Sequence, residues 1–283
     1  MARRFDRFVA ALAAAEVSER ACNQYSATVG DLRANAIRRA NLRRYLEEFE
    51  GIAPDTLLIG EAPSYRGGRL TGIAFVSETL LLSGIEIAGP RGRILGAERG
   101  YRRATSTPKP STEASATMVW GTIRSIEPLP LLWNAFPFHP FHHGNAESNR
   151  VPSSTELAIG QPFIEMLLRL FPIRRVVAIG NQASLSLTKL GIEHVKVRHP
   201  SQGGKNLFVA GMANLSQGAV AEVIVPGKSQ IQQIKEGRAM RERVYNNRNQ
   251  PSSPKAPLPT KNAVRLSTVP SSAAEKFNGG RDE

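Results

Sequence analysis

The stretch Thr56-Leu57-Leu58-Ile59-Gly60-Glu61-Ala62-Pro63 decides how this chain folds. Residues 56–59 are a short apolar run without polar alternation, the pattern of a strand buried on both faces, and the run breaks at Gly60 into a turn. A buried parallel strand that opens into a functional loop reads this way. Similar runs recur at residues 118–123, 131–136, 175–179 and 194–197, and they read as further strands of one sheet. Two helices with recognisable starts lie among them. Ser153 and Glu156 form a capping-box pattern before residues 157–170, and Asn181 stands where it would cap residues 182–190. Alternating strands and helices predict an α/β fold, with a mostly parallel central sheet flanked by helices on both faces. Ligands of such three-layer folds bind beyond the carboxyl ends of the strands.

Outward from this core, residues 2–49 carry a helical pattern, including a basic segment at 33–44 with Arg38, Arg39, Arg43 and Arg44 that reads as a solvated helix face. Residues 105–116, rich in Ser, Thr and Pro, read as a flexible link between two strands. After about residue 227 large apolar groups become scarce. Residues 228–283 hold 5 Lys and 6 Arg against 5 acidic residues, and they are expected to form a basic disordered tail behind a domain at residues 1–227.

Lysine and arginine outnumber acidic residues 37 to 24 over the whole chain, giving a formal net charge of +13. That balance favours a polyanionic partner, without saying which one. No apolar run approaches the roughly 20 residues that span a bilayer. The lone cysteine, Cys22, excludes an intramolecular disulfide framework and any cysteine-rich zinc or iron-sulfur site. A reducing cytoplasm is the expected compartment. Arg3, Arg4 and Arg7 give the N-terminus a transit-peptide flavour, which Asp6, Glu16 and Glu19 argue against.

Three segments concentrate polar residues at strand ends. In the first, Gly60-Glu61-Ala62-Pro63-Ser64-Tyr65-Arg66-Gly67-Gly68-Arg69, a carboxylate follows a buried strand in a rigid turn, where it can orient water or stabilise a cationic transition state. Taken alone, such a glutamate more often caps a turn. In the second, Trp133-Asn134-Ala135-Phe136-Pro137-Phe138-His139, the Asn134 amide offers a donor and an acceptor together, which suits the Watson-Crick edge of a base. In the third, Arg198-His199-Pro200-Ser201-Gln202-Gly203-Gly204-Lys205, a strand-end histidine able to donate to a leaving anion precedes a flexible basic loop. His139, His142 and His143 are compact enough to invite a metal reading, but no carboxylate or cysteine sits at ligand spacing, so aromatic packing with some phosphate contact is expected instead.

Taken in order, the three segments resemble the uracil-DNA glycosylase superfamily, in its branches whose first motif reads Gly-Glu-Ala-Pro and whose last reads His-Pro-Ser. The resemblance runs from about Arg38 to about Met212. It implies that Glu61 positions the attacking water and steadies an oxocarbenium-like sugar. It implies that Phe75 stacks on the extruded base, that Asn134 reads uracil's edge beside Gly60, Ala62 and Pro63, and that His199 bonds the uracil carbonyl as charge develops. The loop of Ser201, Gln202, Gly203 and Lys205 matches the one that presses into the duplex, with Tyr65, Arg66 and Arg69 as further DNA contacts. The implied activity is hydrolysis of uracil from DNA by a monomer that needs no metal or other cofactor. Ser64 departs from the pattern: many relatives have glycine there, and one branch has a tyrosine that excludes thymine's methyl group. The rival readings are a glycosylase for hypoxanthine or xanthine, a noncatalytic DNA-binding module, and a nucleoside hydrolase.

Overall fold

The computed structural model describes residues 3–216. The expected tail at 228–283 lies outside the described residues. The chain opens with α1 (Arg3–Ala14), the two-residue strand β1 (Ala21–Cys22) and the long α2 (Leu32–Ile52). There follow β2 (Thr56–Gly60), the short helices α3 (Gly68–Thr71) and α4 (Glu78–Ser83), a small hairpin of β3 (Ile85–Glu86) and β4 (Arg93–Ile94), and α5 (Ala114–Ile123). The second half alternates: β5 (Leu131–Asn134), β6 (His139–Pro140), α6 (Ser154–Leu170), β7 (Arg175–Ile179), α7 (Asn181–Lys189), β8 (Val195–Val197) and α8 (Lys205–Ser216).

Four strands form one parallel sheet in the order β5-β2-β7-β8, flanked by helices as the alternation predicts. Every residue of β2 and β5 is buried. The register matters for function: Gly60 pairs with Asn134, Ile59 with Ala178 and Ile179 with Val197, so the residues after all four strands emerge along one edge. The β5 pairing extends past its last strand residue, because the Ala135 and Phe136 amides donate to the Gly60 and Glu61 carbonyls at 2.8 and 3.0 Å.

The structure corrects four expectations. Residues 118–123 are not a strand but the end of α5. Its buried positions, Ala116, Val119, Trp120 and Ile123, are spaced by three and four residues, a helical period that the unbroken apolar run concealed. Residues 2–49 are not continuously helical. Between α1 and α2, β1 pairs antiparallel with β6, and Asn23 donates to the Leu12 and Ala15 carbonyls at 2.9 Å each, closing off α1. The expected cap Asn181 is already the first residue of α7, with Gly180 in the cap position. The Gly180 amide is drawn back to the Val197 carbonyl (2.8 Å), which shortens the turn by one residue. Residues 105–116 are not a loose link between strands. The fully buried carboxylate of Glu78 accepts from the Thr105 hydroxyl (2.6 Å) and the Ser111 amide (2.9 Å), and Ala114 onward is helix.

The basic face of α2 is also more structural than expected. Arg38 donates to the Leu70 carbonyl and to Asn35, and Arg39 donates to the Tyr25 and Ser26 carbonyls, so both tie the helix to neighbouring loops. The capping box on α6 is present as read: Ser153 accepts from the Glu156 amide, and the Glu156 carboxylate accepts from the Ser153 amide.

Candidate active site

A cavity of about 620 Å³ opens at the carboxyl edge of the sheet, lined by Glu61, Phe75, Glu113, Asn134, His199 and Gln202 among others. Its floor is set by backbone geometry at Gly60. A Cβ there would come within 2.5 Å of the Phe75 ring and 2.8 Å of the Asn134 side-chain oxygen Oδ1, so only glycine lets the aromatic ring and the amide converge on the strand end. Phe75 adopts the left-handed conformation (φ 55°), unusual for an aromatic residue. The Trp120 indole donates to its carbonyl oxygen at 2.9 Å and holds it there.

Glu61 is anchored through its backbone, yet its carboxylate Oε1 is buried with no hydrogen-bond partner among the described residues. Burial with nothing to compensate pushes its pKa up to about 7. Asn134 is 4% exposed and lines the same cavity. Both residues line the cavity, and a carboxylate oxygen left without a donor does not fit a turn cap.

The geometry at His199 favours the tautomer with the ring proton on Nε2. The Ser201 amide donates to its Nδ1 at 3.2 Å, with the Ser201 hydroxyl 2.7 Å away. A backbone N–H can only donate, so Nδ1 is the bare nitrogen and the ring proton sits on Nε2. Burial, with a smaller contribution from the Arg198 cation, lowers the pKa of His199 and keeps it neutral. A neutral imidazole with Nε2–H free is a hydrogen-bond donor that needs no charge of its own.

The other expected residues separate by place. Ala62, Pro63, Ser201 and Gln202 line the cavity with Glu61, Phe75, Asn134 and His199. Tyr65, Arg66, Arg69, Gly203 and Lys205 lie outside it. The Tyr65 amide donates to Asn149 (3.1 Å), Arg66 stacks over the Tyr65 ring and Arg69 donates to the Ala146 carbonyl (3.0 Å), so Arg69 also has a structural task. Gln202, Gly203 and Lys205 are exposed at the turn into α8. His139 is fully buried, its Nδ1 2.8 Å from the Pro63 carbonyl oxygen and its Nε2 3.1 Å from that of Ala146. It braces the turn after Glu61, with both ring nitrogens engaged by carbonyl oxygens. Among the described residues no three His, Cys, Asp or Glu side chains gather as a metal site requires.

Sequence reasoning missed Glu113. It sits in a Ser- and Thr-rich stretch that carries no motif, and only the fold brings it to the cavity beside Ser64.

A profile of the uracil DNA glycosylase superfamily matches residues 48–216, more than half of the chain, and spans every cavity residue named above. The chain belongs to the uracil DNA glycosylase superfamily. Among solved structures it is similar to wild-type SMUG2 of Pedobacter heparinus, with a TM-score of 0.51 and 16% identity over 76% of this chain and 99% of that one, a likeness of fold. No curated protein sequence matches it. Membership makes the protein a DNA glycosylase, a hydrolase of base repair. Among the described residues no helix is long and apolar enough to cross a membrane.

Proposed function

We propose that the protein removes uracil from DNA by hydrolysing its N-glycosidic bond, leaving an abasic site. The carrying observation is that one cavity holds the buried, unpartnered carboxylate oxygen of Glu61 together with the Asn134 amide and the His199 imidazole. An extruded uracil stacks on Phe75 while Asn134 takes its N3–H and O4 edge, giving and accepting one bond each. As the glycosidic bond lengthens, electron density moves onto the base, and the His199 Nε2–H bonds the carbonyl oxygen where it accumulates. Removing a donor of this kind typically slows a reaction by about 100 to 1,000-fold. The opposite charge grows on the sugar. Ionised Glu61 stabilises it and orients the water that attacks C1′, with no covalent intermediate on the protein.

Basic residues around the opening, Arg66, Arg69, Arg198 and Lys205, are assigned to the phosphates, and the turn at Gln202 and Gly203 to the gap left in the duplex. Extrusion costs a few kcal/mol, least for a mispaired base, so uracil opposite guanine should be the best duplex substrate. The enzyme is proposed to act as a cytoplasmic, nucleoid-associated monomer, with a catalytic domain at 1–227 and the basic tail at 228–283 as a separate segment.

The test is incubation of the full chain with labelled oligonucleotides bearing a single U, T, hypoxanthine or xanthine, followed by alkali to cut abasic sites. Strand scission at U alone is expected, weakening steeply as salt rises. Scission only at hypoxanthine or xanthine would keep the scaffold and overturn the uracil assignment.

A further inference from the structure

Asn149 lines the cavity, and the proposed reaction leaves it without a task. It is exposed, on the segment that joins β6 to α6, and its Oδ1 accepts from the Tyr65 amide, in the turn after β2, at 3.1 Å. A backbone N–H can only donate, so the atom that receives it is the amide oxygen, and the other end of the side chain is the Nδ2 amino group, which carries two N–H donors. The residues on either side hold Asn149 in place. The Ser148 hydroxyl accepts from the His142 amide (2.9 Å) and donates to the Asn145 carbonyl (2.6 Å), and Arg150 donates to the Phe141 and Arg20 carbonyls at 3.0 and 2.8 Å.

The neighbouring side-chain donors of this wall are already engaged. Arg150 gives both terminal nitrogens to Glu156, and the Ser64 and Ser115 hydroxyls donate to Glu113. A deoxynucleotide inside a DNA strand brings only acceptors to the mouth of a cavity, because its sugar oxygens lie in the ring or are esterified and its phosphates are anionic. We infer that the Nδ2 of Asn149 donates to a phosphate oxygen of the strand beside the extruded nucleotide. The amide is held in advance by Tyr65 and by the bonds that flank it, so little freedom is lost on binding, and a charged acceptor makes the bond stronger than one between neutral groups. The inference rests on the reading that the substrate is a nucleotide extruded from DNA.

Binding is measured for the full chain, Asn149→Ala and Asn149→Asp on duplexes that hold a tetrahydrofuran abasic site, with the phosphates on either side of it replaced one at a time by uncharged methylphosphonates. Asn149→Asp keeps the oxygen that the Tyr65 amide needs and loses only the donor. On the all-phosphate duplex Asn149→Ala should bind about tenfold more weakly than the unsubstituted chain, and Asn149→Asp more weakly still, because it sets a negative charge against the phosphate. On the duplex whose methylphosphonate stands at the contacted position, the unsubstituted chain and Asn149→Ala should bind within about twofold of each other. Should Asn149→Ala fail to fold, Asn149→Asp carries the same comparison. A deficit that persists undiminished on every methylphosphonate duplex, or Asn149→Asp binding as well as the unsubstituted chain, would overturn the contact and leave Asn149 a brace for the Tyr65 turn. Cleavage of a uracil duplex by the unsubstituted chain is followed in parallel. Its absence would overturn the uracil assignment, while the binding comparison, which involves no base, still decides on Asn149.

Discussion

Two glutamates in this protein, both withdrawn from water, have been treated in opposite ways by the fold. Glu156 at the start of α6 is 2% exposed and accepts from both terminal nitrogens of Arg150 (2.8 and 2.6 Å), from the Ser18 hydroxyl (2.6 Å) and from the Ser153 amide (2.8 Å). Burial alone would raise its pKa, but these donors override it and hold the carboxyl down at about 2. Glu61 has no such donors and rises to about 7. A carboxylate that stabilises a fold must be saturated. One that acts on a substrate must keep its lone pairs free, at a cost in stability.

That contrast can be broken most sharply at Glu61. Glu61→Gln removes the charge but keeps the shape, and single-turnover cleavage of uracil should fall by about 100 to 10,000-fold, with binding to uracil-containing duplex retained in a gel-shift assay. Activity within tenfold of the parent would sink the assignment. At Glu156 the same logic predicts a loss of stability. Arg150→Met leaves a buried carboxylate without its main partner and should cost about 3 to 5 kcal/mol, seen as a melting temperature lower by roughly 10 °C. This loss should fade in acid. The folded pKa of Glu156 is depressed, so its contribution is complete above about pH 4.5 and disappears as pH falls towards 2.

The pH dependence at Glu61 has the other sign. Its ionised form is the active one, so the single-turnover rate should rise about tenfold per pH unit below pH 7 and level off above it, and this limb should vanish in Glu61→Gln. Because its folded pKa is raised, the stability that it contributes is present below about pH 4.5 and lost as pH rises through 7. Glu61→Gln should therefore melt a few degrees higher than the parent at pH 8 and show no gain at pH 4.5. The smallest effect is expected at Trp120. Trp120→Phe deletes the bond to the Phe75 carbonyl oxygen, and should slow cleavage severalfold through a raised KM while costing about 1 kcal/mol in denaturant unfolding.

The legible parts of the molecule share a property. β2, β5 and β7 were readable because parallel strands in the middle of a sheet are almost wholly apolar, and α6 because Ser153 and Glu156 announce its start, whereas the edge strand β8 carries the exposed Lys196 and left only a weak signal. Residues 118–123 failed as a strand because the outer positions Met118, Gly121 and Thr122 carry no charge to mark the exposed side, and the helix shows only once its buried positions are known. Trp120, misplaced with that segment, proves to hold Phe75 in position.

The order of the chain determined which groups are available: Glu61, Asn134 and His199 each stand at the end of an apolar strand or just beyond it, and parallel strands deliver their carboxyl-terminal residues to one edge. That is local information, carried by runs of four or five residues. Only the tertiary structure decided which of these groups remain unpartnered, because hydrogen-bond saturation depends on residues far away in sequence. Ser18 lies 138 residues from the Glu156 that it satisfies, and Ser64 lies 49 residues from the Glu113 that it orients. The proton position on His199 falls between the two: the Ser201 that fixes it is a neighbour in sequence, but the burial that keeps the ring neutral is a property of the closed fold.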